Sequence, residues 1–395
     1  MAGRKGRLAE FSGRGRKQVK GNLTRRGARS WRLKFDLPGN GKRETRYVTL
    51  KGTRREAQAQ AVKVLASVAS GMHVDPSAET VGEFIARWLD GAHELAGTTV
   101  ERYRQLAEHQ IIPHLGTMPL QKLRRAHLME WHSKLLATGG TDGRPLSART
   151  VKHAHFVLHR ALERAVEGEL IARNVAHGVR APKVETTEIA ILKADQIAAV
   201  LAALVDHPLY PIAVLALTSG ARRGELLALR WGDVNLTAGT IRIERSLEQT
   251  SAGLKFKRPK TRHGVRSIAL PPVAVEALHV HRRKQLELRL ALGQGKANPD
   301  TLVFSTIEGE PMLPNGLSRD WGKFVCTHKL PIVTFHALRH THASTLIASG
   351  LDALTISRRL GHGSPTITLG VYGHLFTNTD DKAAAIMQAA LKGSN

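Results

Sequence analysis

The chain has 395 residues, with 59 Lys and Arg against 33 Asp and Glu, a net charge of +26 and a pI near 10.8. Its 42% hydrophobic content supports two or three cored domains, no run of about 18 apolar residues offers a membrane span, and the lone Cys326 excludes a disulfide framework or a cysteine-rich zinc site. The cationic surplus exceeds what solubility needs, so the expected partner is a polyanion, nucleic acid before a membrane surface, and the expected compartment is the cytosol.

Residues 1–30 alternate Lys and Arg with glycine against the single acid Glu10, and lack the apolar run of a secretory signal. They are expected to form a flexible basic arm. Trp31, Leu33, Phe35 and Leu37 alternate with Arg32, Lys34 and Asp36, a strand pattern that a Pro38–Gly41 turn returns as a second strand over 42–50. Arg32 and Lys34 lie on the basic face and are DNA-contact candidates, while Trp31 and Phe35 read as core. Thr53 to Glu56 is a capping box opening an alanine-rich helix that ends near Gly71, completing a small sheet-plus-helix domain over 31–74.

A break at Asp75-Pro76-Ser77 precedes a helical domain over 78–175. Its helices open at the Thr80–Glu83 capping box, at Thr98, near Leu123 and at Ser147, the last running to about Glu169. Arg149, Lys152, Arg160 and Arg164 make the polar side of that last helix basic, which suits a phosphate backbone. Periodicity fails over 176–190, the expected linker. The remainder, 191–395, reads as mostly helical, with strands at Ile241–Arg245 and Ser267–Leu270, a hairpin formed by Lys255–Arg262 and Val265–Leu270, and a last helix over Asp380–Leu391. The fold class is therefore mainly α and multidomain: a small α+β domain, an all-α bundle, and a mixed, mostly helical domain with a small sheet.

Four motifs in this last part carry chemistry. Arg222 stands in Ser219-Gly-Ala-Arg-Arg-Gly-Glu225, at the start of a helical run whose amide groups also favour anions; Arg223 competes for its role, and Glu225 reads as a structural partner. Lys260 stands in a polar segment where Lys255 and Lys257 are alternatives. His336 and Arg339 are spaced i and i+3, so a helix capped by Thr334 would aim both at one site, whereas His340 and His342 are assigned structural roles. His362 precedes Ser364-Pro365, a strong helix start that places Tyr372 about two turns in. Two guanidinium groups suit the planar, bidentate binding of phosphate oxygens. A phenol, with a pKa near 10, needs about 4 kcal/mol of help to ionise at neutral pH.

Together these positions resemble the tyrosine recombinase (phage-type integrase) family, strongly over the carboxyl half, less so over the helical middle, and weakly over the amino-terminal domain. The resemblance implies catalysis by Arg222, Lys260, His336, Arg339, His362 and Tyr372. The two arginines would hold the phosphate, His336 would assist proton transfer at the nucleophile Tyr372, and Lys260 would be the general acid for the leaving 5′ oxygen. It implies a site-specific DNA recombinase that makes a 3′-phosphotyrosyl link, conserving the bond energy so that rejoining needs no nucleotide cofactor. The set requires no metal, since two-metal chemistry would need a carboxylate cluster. The resemblance further implies a homo-tetramer on paired double-stranded attachment sites of a phage or integrative element, accessory DNA-bending or directionality factors, a bacterial nucleoid-associated location, and a small amino-terminal domain for arm-type DNA sites. Two other readings remain at this point: a type IB topoisomerase-like relaxing enzyme, and a noncatalytic DNA-binding architectural factor.

Overall fold

The computed structural model describes residues 6–7, 20–37, 44–70, 73–140, 143–185, 189–259, 262–376 and 380–392. Two compact units emerge, Met1–Glu185 and Thr186–Asn395. Most of the expected basic arm, the Pro38–Gly41 turn and Lys260 lie outside the described residues.

In the first unit, strands β1 (Gly6–Arg7), β2 (Gly21–Gly27), β3 (Ser30–Leu37) and β4 (Glu44–Lys51) make an antiparallel sheet in sequence order. The alternation in β3 places Leu33 and Phe35 inward and Lys34 outward. Helix α1 (Arg54–Ala69) closes over them with Ala57, Ala61 and Val68. The flexible arm expected to reach residue 30 is corrected here: residues 21–27 are a strand, with Leu23 opposite Leu33. Charge density hid it, because this strand buries one side chain, Leu23, and draws its remaining support from main-chain pairing with β1 and β3.

Helices α2 (Val81–Asp90), α3 (Gly97–Leu106), α4 (Ile112–Leu115), α5 (Arg125–Thr138) and α6 (Ala148–Glu167) form the bundle. Both expected capping boxes are present, Thr53 with Glu56 and Thr80 with Glu83, and Ser147 caps α6. The third helix begins at Gly97, from Ala96, rather than at Thr98. Between α3 and α4 the chain makes a π-helical turn over Ala107–Ile111, just where Pro113 removes a main-chain donor. The bundle core packs Phe84, Ile85, Trp88, Leu128, Trp131, Leu158 and their neighbours.

The second unit contains α7 (Ala194–Leu204), α8 (Tyr210–Ser219), α9 (Arg223–Leu227), β5 (Val234–Asn235), β6 (Thr240–Ile243), β7 (Ser246–Thr250), β8 (Gly253–Lys257), β9 (Arg266–Ala269), α10 (Pro272–Ala291), α11 (Pro314–Thr327), α12 (Ala337–Ala348), α13 (Ala353–Leu360), α14 (Pro365–Tyr372) and α15 (Asp380–Lys392). The mainly helical class holds. The expected hairpin is re-paired: β8 folds back on β7, with Gly253 at φ +113, while β9 joins β5 and β6 in a separate sheet. A glycine at positive φ three residues after Thr250 permits the tight turn, a local signal that outweighs the alternation in 265–270. The main core gathers around Trp321, whose indole donates to the Val333 carbonyl, and a smaller cluster of Ala343, Ile347, Ile356 and Leu360 encloses Tyr372. Among the described residues no helix is long and apolar enough to cross a membrane.

Candidate active site

Arg222 is the residue just ahead of α9, where its extended backbone lets its side chain and main chain both meet Glu225. Its main-chain N–H donates to Glu225 Oε2 at 2.8 Å, its Nη1 donates to Oε1 at 2.8 Å, and its Nη2 donates to the Gly361 carbonyl at 3.3 Å. Glu225 is buried and also receives Arg266 Nη2 at 2.8 Å. Burial pushes its pKa up, but Arg266 and Arg222 outweigh that and hold the carboxyl below its ordinary range. Glu225 thus orients Arg222, the structural role expected for it. Arg223, the competing candidate, turns to α11 instead, donating to Ser318 and Asn315.

Arg339 sits in the first turn of α12 and is 4% exposed. Its Nη1 donates to the Gly220 carbonyl at 2.6 Å and its Nη2 to the Leu360 carbonyl at 2.9 Å. Among the described residues no carboxylate lies within ion-pair distance of it. Burial first, then Arg222, push its pKa down to about 9. A guanidinium enclosed among carbonyls, next to a second cation, lowers its energy by taking an anion. Arg222 and Arg339 reach the adjacent carbonyls of Gly361 and Leu360, so three segments distant in sequence bring two guanidinium groups together.

Tyr372 ends α14, which Ser364 caps as expected. It is 2% exposed, and its hydroxyl lies 2.6 Å from His340 Nδ1. Burial raises the phenol pKa, while Arg339 acts to lower it. His336 stands just ahead of α12, with its ring 4.9 Å from that of His340 and nearly perpendicular to it. Burial, His340, Arg339 and Arg222 drive the His336 pKa down to about 4; the residue keeps an exposed face, which tempers the burial contribution. His362 Nδ1 meets Thr368 Oγ1 at 2.8 Å, and burial followed by Arg339 and Arg222 likewise takes its pKa to about 4. The imidazoles of His336 and His362 are therefore neutral at neutral pH.

His340, given a structural role from the sequence, touches the candidate nucleophile directly. Its signal was present in the sequence, since His340 follows His336 by one helical turn and so shares its face. His342 keeps a structural role. A carbonyl can only accept, so the 2.7 Å contact with the Leu217 oxygen places the proton on His342 Nδ1, leaving Nε2 to accept from Arg359 Nε at 3.1 Å. Lys260 lies outside the described residues; of its alternatives, Lys257 is paired with Glu248 and Lys255 is exposed on β8. The carboxylate that joins this cluster, Glu225, is occupied by two arginines, and no set of His and acidic groups at the site is arranged to hold a metal among the described residues.

Gly220 and the buried histidines each make a prediction. Gly220 has φ +63, and a Cβ there would meet His342 Cδ2 at 2.5 Å and Leu360 Cδ2 at 2.7 Å. Gly220→Ala should destabilise the protein by about 1–3 kcal/mol and displace the carbonyl that holds Arg339; an unchanged urea midpoint would contradict this. His155 and His342 are buried and, mainly through burial, titrate near 4 rather than 6.5. The folded state then binds fewer protons than the unfolded chain between these values. Stability is fully present above about pH 6.5 and declines as pH falls toward 4, by up to about 3 kcal/mol per group. Urea midpoints at about pH 7 and about pH 5 test this, and one that holds or rises at the lower pH refutes it.

Comparison with known proteins places this geometry. The phage integrase family model matches residues 190–379, and the phage integrase N-terminal SAM-like domain matches residues 80–136. An integrase of Streptomyces ambofaciens is 30% identical over 351 residues, covering 86% of this chain and 88% of that protein. A XerC-like tyrosine recombinase of Caldanaerobacter subterraneus subsp. tengcongensis is 27% identical over 347 residues, covering 82% and 86%. In fold, the chain resembles the Tn1549 transposon integrase bound to transposon right end DNA, with a TM-score of 0.64 at 23% identity over 78% of this chain and 99% of that one. It also resembles lambda integrase solved as a tetramer on a Holliday junction, with a TM-score of 0.54 at 20% identity over 86% and 91%. The chain belongs to the phage integrase family of tyrosine recombinases. It is accordingly a site-specific recombinase, an enzyme of the tyrosine type.

Proposed function

We propose that Tyr372 is the nucleophile and that Arg222 and Arg339 clamp the phosphate under attack. The phenol oxygen bonds to phosphorus, the bond from phosphorus to the 5′ oxygen breaks, and the strand is left as a 3′-phosphotyrosyl ester. Charge builds on the nonbridging oxygens, where two fixed guanidinium groups stabilise it. The phenol proton passes to His340, the group in contact with it, with His336 packed alongside. His362 completes the phosphate pocket, and Lys260 protonates the leaving 5′ oxygen. A free 5′ hydroxyl reverses the step, so ligation uses the stored ester bond. Because Tyr372 is buried as found, DNA engagement has to uncover it before attack.

The observation that carries this reading is the 2.6 Å contact of the Tyr372 hydroxyl with His340, beside the buried Arg339. The substrate is double-stranded DNA carrying attachment sites of a mobile element, bound by a homo-tetramer with accessory bending or directionality factors in the bacterial cytoplasm at the nucleoid. Solved relatives of like fold are a transposon integrase with transposon-end DNA and a lambda integrase tetramer on a Holliday junction. Arg32, Lys34, Arg149, Lys152 and Arg160 contact phosphates. Lys34 and Arg149 are exposed for that task, while Lys152 lies over Phe156 and Arg160 over Tyr103. Trapping on a nicked suicide substrate, followed by digestion and mass mapping of the nucleotide-bearing peptide, tests the assignment. The modification is expected on Tyr372, and its recovery on any other residue overturns the reading.

A further inference from the structure

In the first unit, outside the sequence motifs of catalysis, His159 and Glu163 stand one turn apart on α6, and His177 returns to them from the segment that follows. Their donor atoms all lie within 4.8 Å of one another. The Nε2 atoms of both histidines face the same carboxylate oxygen, Glu163 Oε1, at 4.0 Å from His159 and 2.6 Å from His177. A tetrahedral zinc-like ion with ligand bonds of about 2.0–2.1 Å sets its donors roughly 3.3 Å apart, a value these two separations straddle. Small side-chain rotations would equalise them.

The surroundings are those of a ligand set. Asn174 is buried, and its Nδ2 donates both to Glu163 Oε1 at 2.5 Å and to the His159 carbonyl at 3.0 Å, while its Oδ1 accepts from the Ala176 N–H at 2.8 Å. One residue thereby orients the carboxylate and fixes the segment that delivers His177, as outer-shell partners of metal ligands do. Among the described residues no Lys or Arg lies within ion-pair distance of Glu163. The three side chains remain partly open to solvent, at 32%, 38% and 64% for His159, Glu163 and His177, so an ion can enter and complete its coordination with water.

We infer that His159, Glu163 and His177 bind a divalent transition-metal ion of zinc-like chemistry, which clips the segment around residues 174–177 onto α6. This goes beyond the recombination chemistry and does not depend on it. The test uses the full-length protein without an affinity tag, stripped with a chelator and titrated with zinc chloride in competition with a chromogenic chelator. One equivalent should bind, with His159→Ala and His177→Ala each weakening it about tenfold or more. His109→Ala, at an exposed histidine outside the cluster, should leave it unchanged. His177 is exposed on a loop, so its loss does not threaten folding. No binding, or equal affinity in all variants, reduces the cluster to a hydrogen-bonded patch and overturns the inference. Hydrogen exchange supplies an independent readout: zinc should slow the amides of residues 174–179 in the unmodified protein but not in His177→Ala, and the absence of any slowing overturns the clip.

Discussion

Tyr372→Phe should eliminate the covalent protein–DNA adduct, lowering strand cleavage by more than about 10³-fold, while DNA affinity stays within a few-fold. The substitution removes one oxygen and keeps the ring that packs among Ala343, Ile347, Ile356 and Leu360. Its cost to stability is therefore confined to the contact with His340 Nδ1, about 1 kcal/mol. Binding depends on the cationic surface, which the change leaves intact. A noncatalytic DNA-binding factor would be indifferent to the loss of this hydroxyl. Gel analysis on a nicked suicide substrate, with parallel binding titrations, separates the two effects. Persistence of the adduct in Tyr372→Phe would remove Tyr372 from the chemistry.

Arg339→Lys should reduce cleavage by about 10²–10³-fold despite preserving charge. The guanidinium spans two carbonyls, Gly220 on one side and Leu360 on the other, and lies close enough to Arg222 to feel its charge. An ammonium is a point donor that cannot make both bonds in one plane and also take a phosphate oxygen. Because Arg339 is buried while Arg222 keeps a side chain 42% exposed, the same exchange should cost more stability at 339 than at 222. Single-turnover cleavage rates and urea midpoints for both variants measure this. Cleavage by Arg339→Lys within about threefold of the unmodified protein would rule out the clamp.

The acid side of the pH profile bears on the proton acceptors. With His340, the acceptor of the phenol proton, held below the ordinary histidine range by burial and then by Arg339, and with His336 beside it neutral down to about pH 4, adduct formation should persist to lower pH than an ordinary histidine base allows. A loss of rate centred near pH 6.5 would show that the histidine in use is an unperturbed one.

Elements whose signals are local were legible in the chain alone. Capping boxes at Thr53 and Thr80, the Ser147 and Ser364 caps, and the alternation of Leu33 and Phe35 depend on neighbours within a few residues, so sequence spacing specifies them. All six motif residues, Arg222, Lys260, His336, Arg339, His362 and Tyr372, could be named through the family resemblance of short strings, which a linear sequence carries. Tertiary structure alone decided which of those strings meet. The pairing of β8 with β7, the strand hidden in residues 21–27, and the choice of His340 as the Tyr372 partner turn on contacts between segments. So does the convergence of Arg222 and Arg339 on the Leu360–Gly361 turn, 139 and 21 residues away. Such contacts depend on how helices and strands pack, and packing is settled by the whole core at once, which no window of sequence contains.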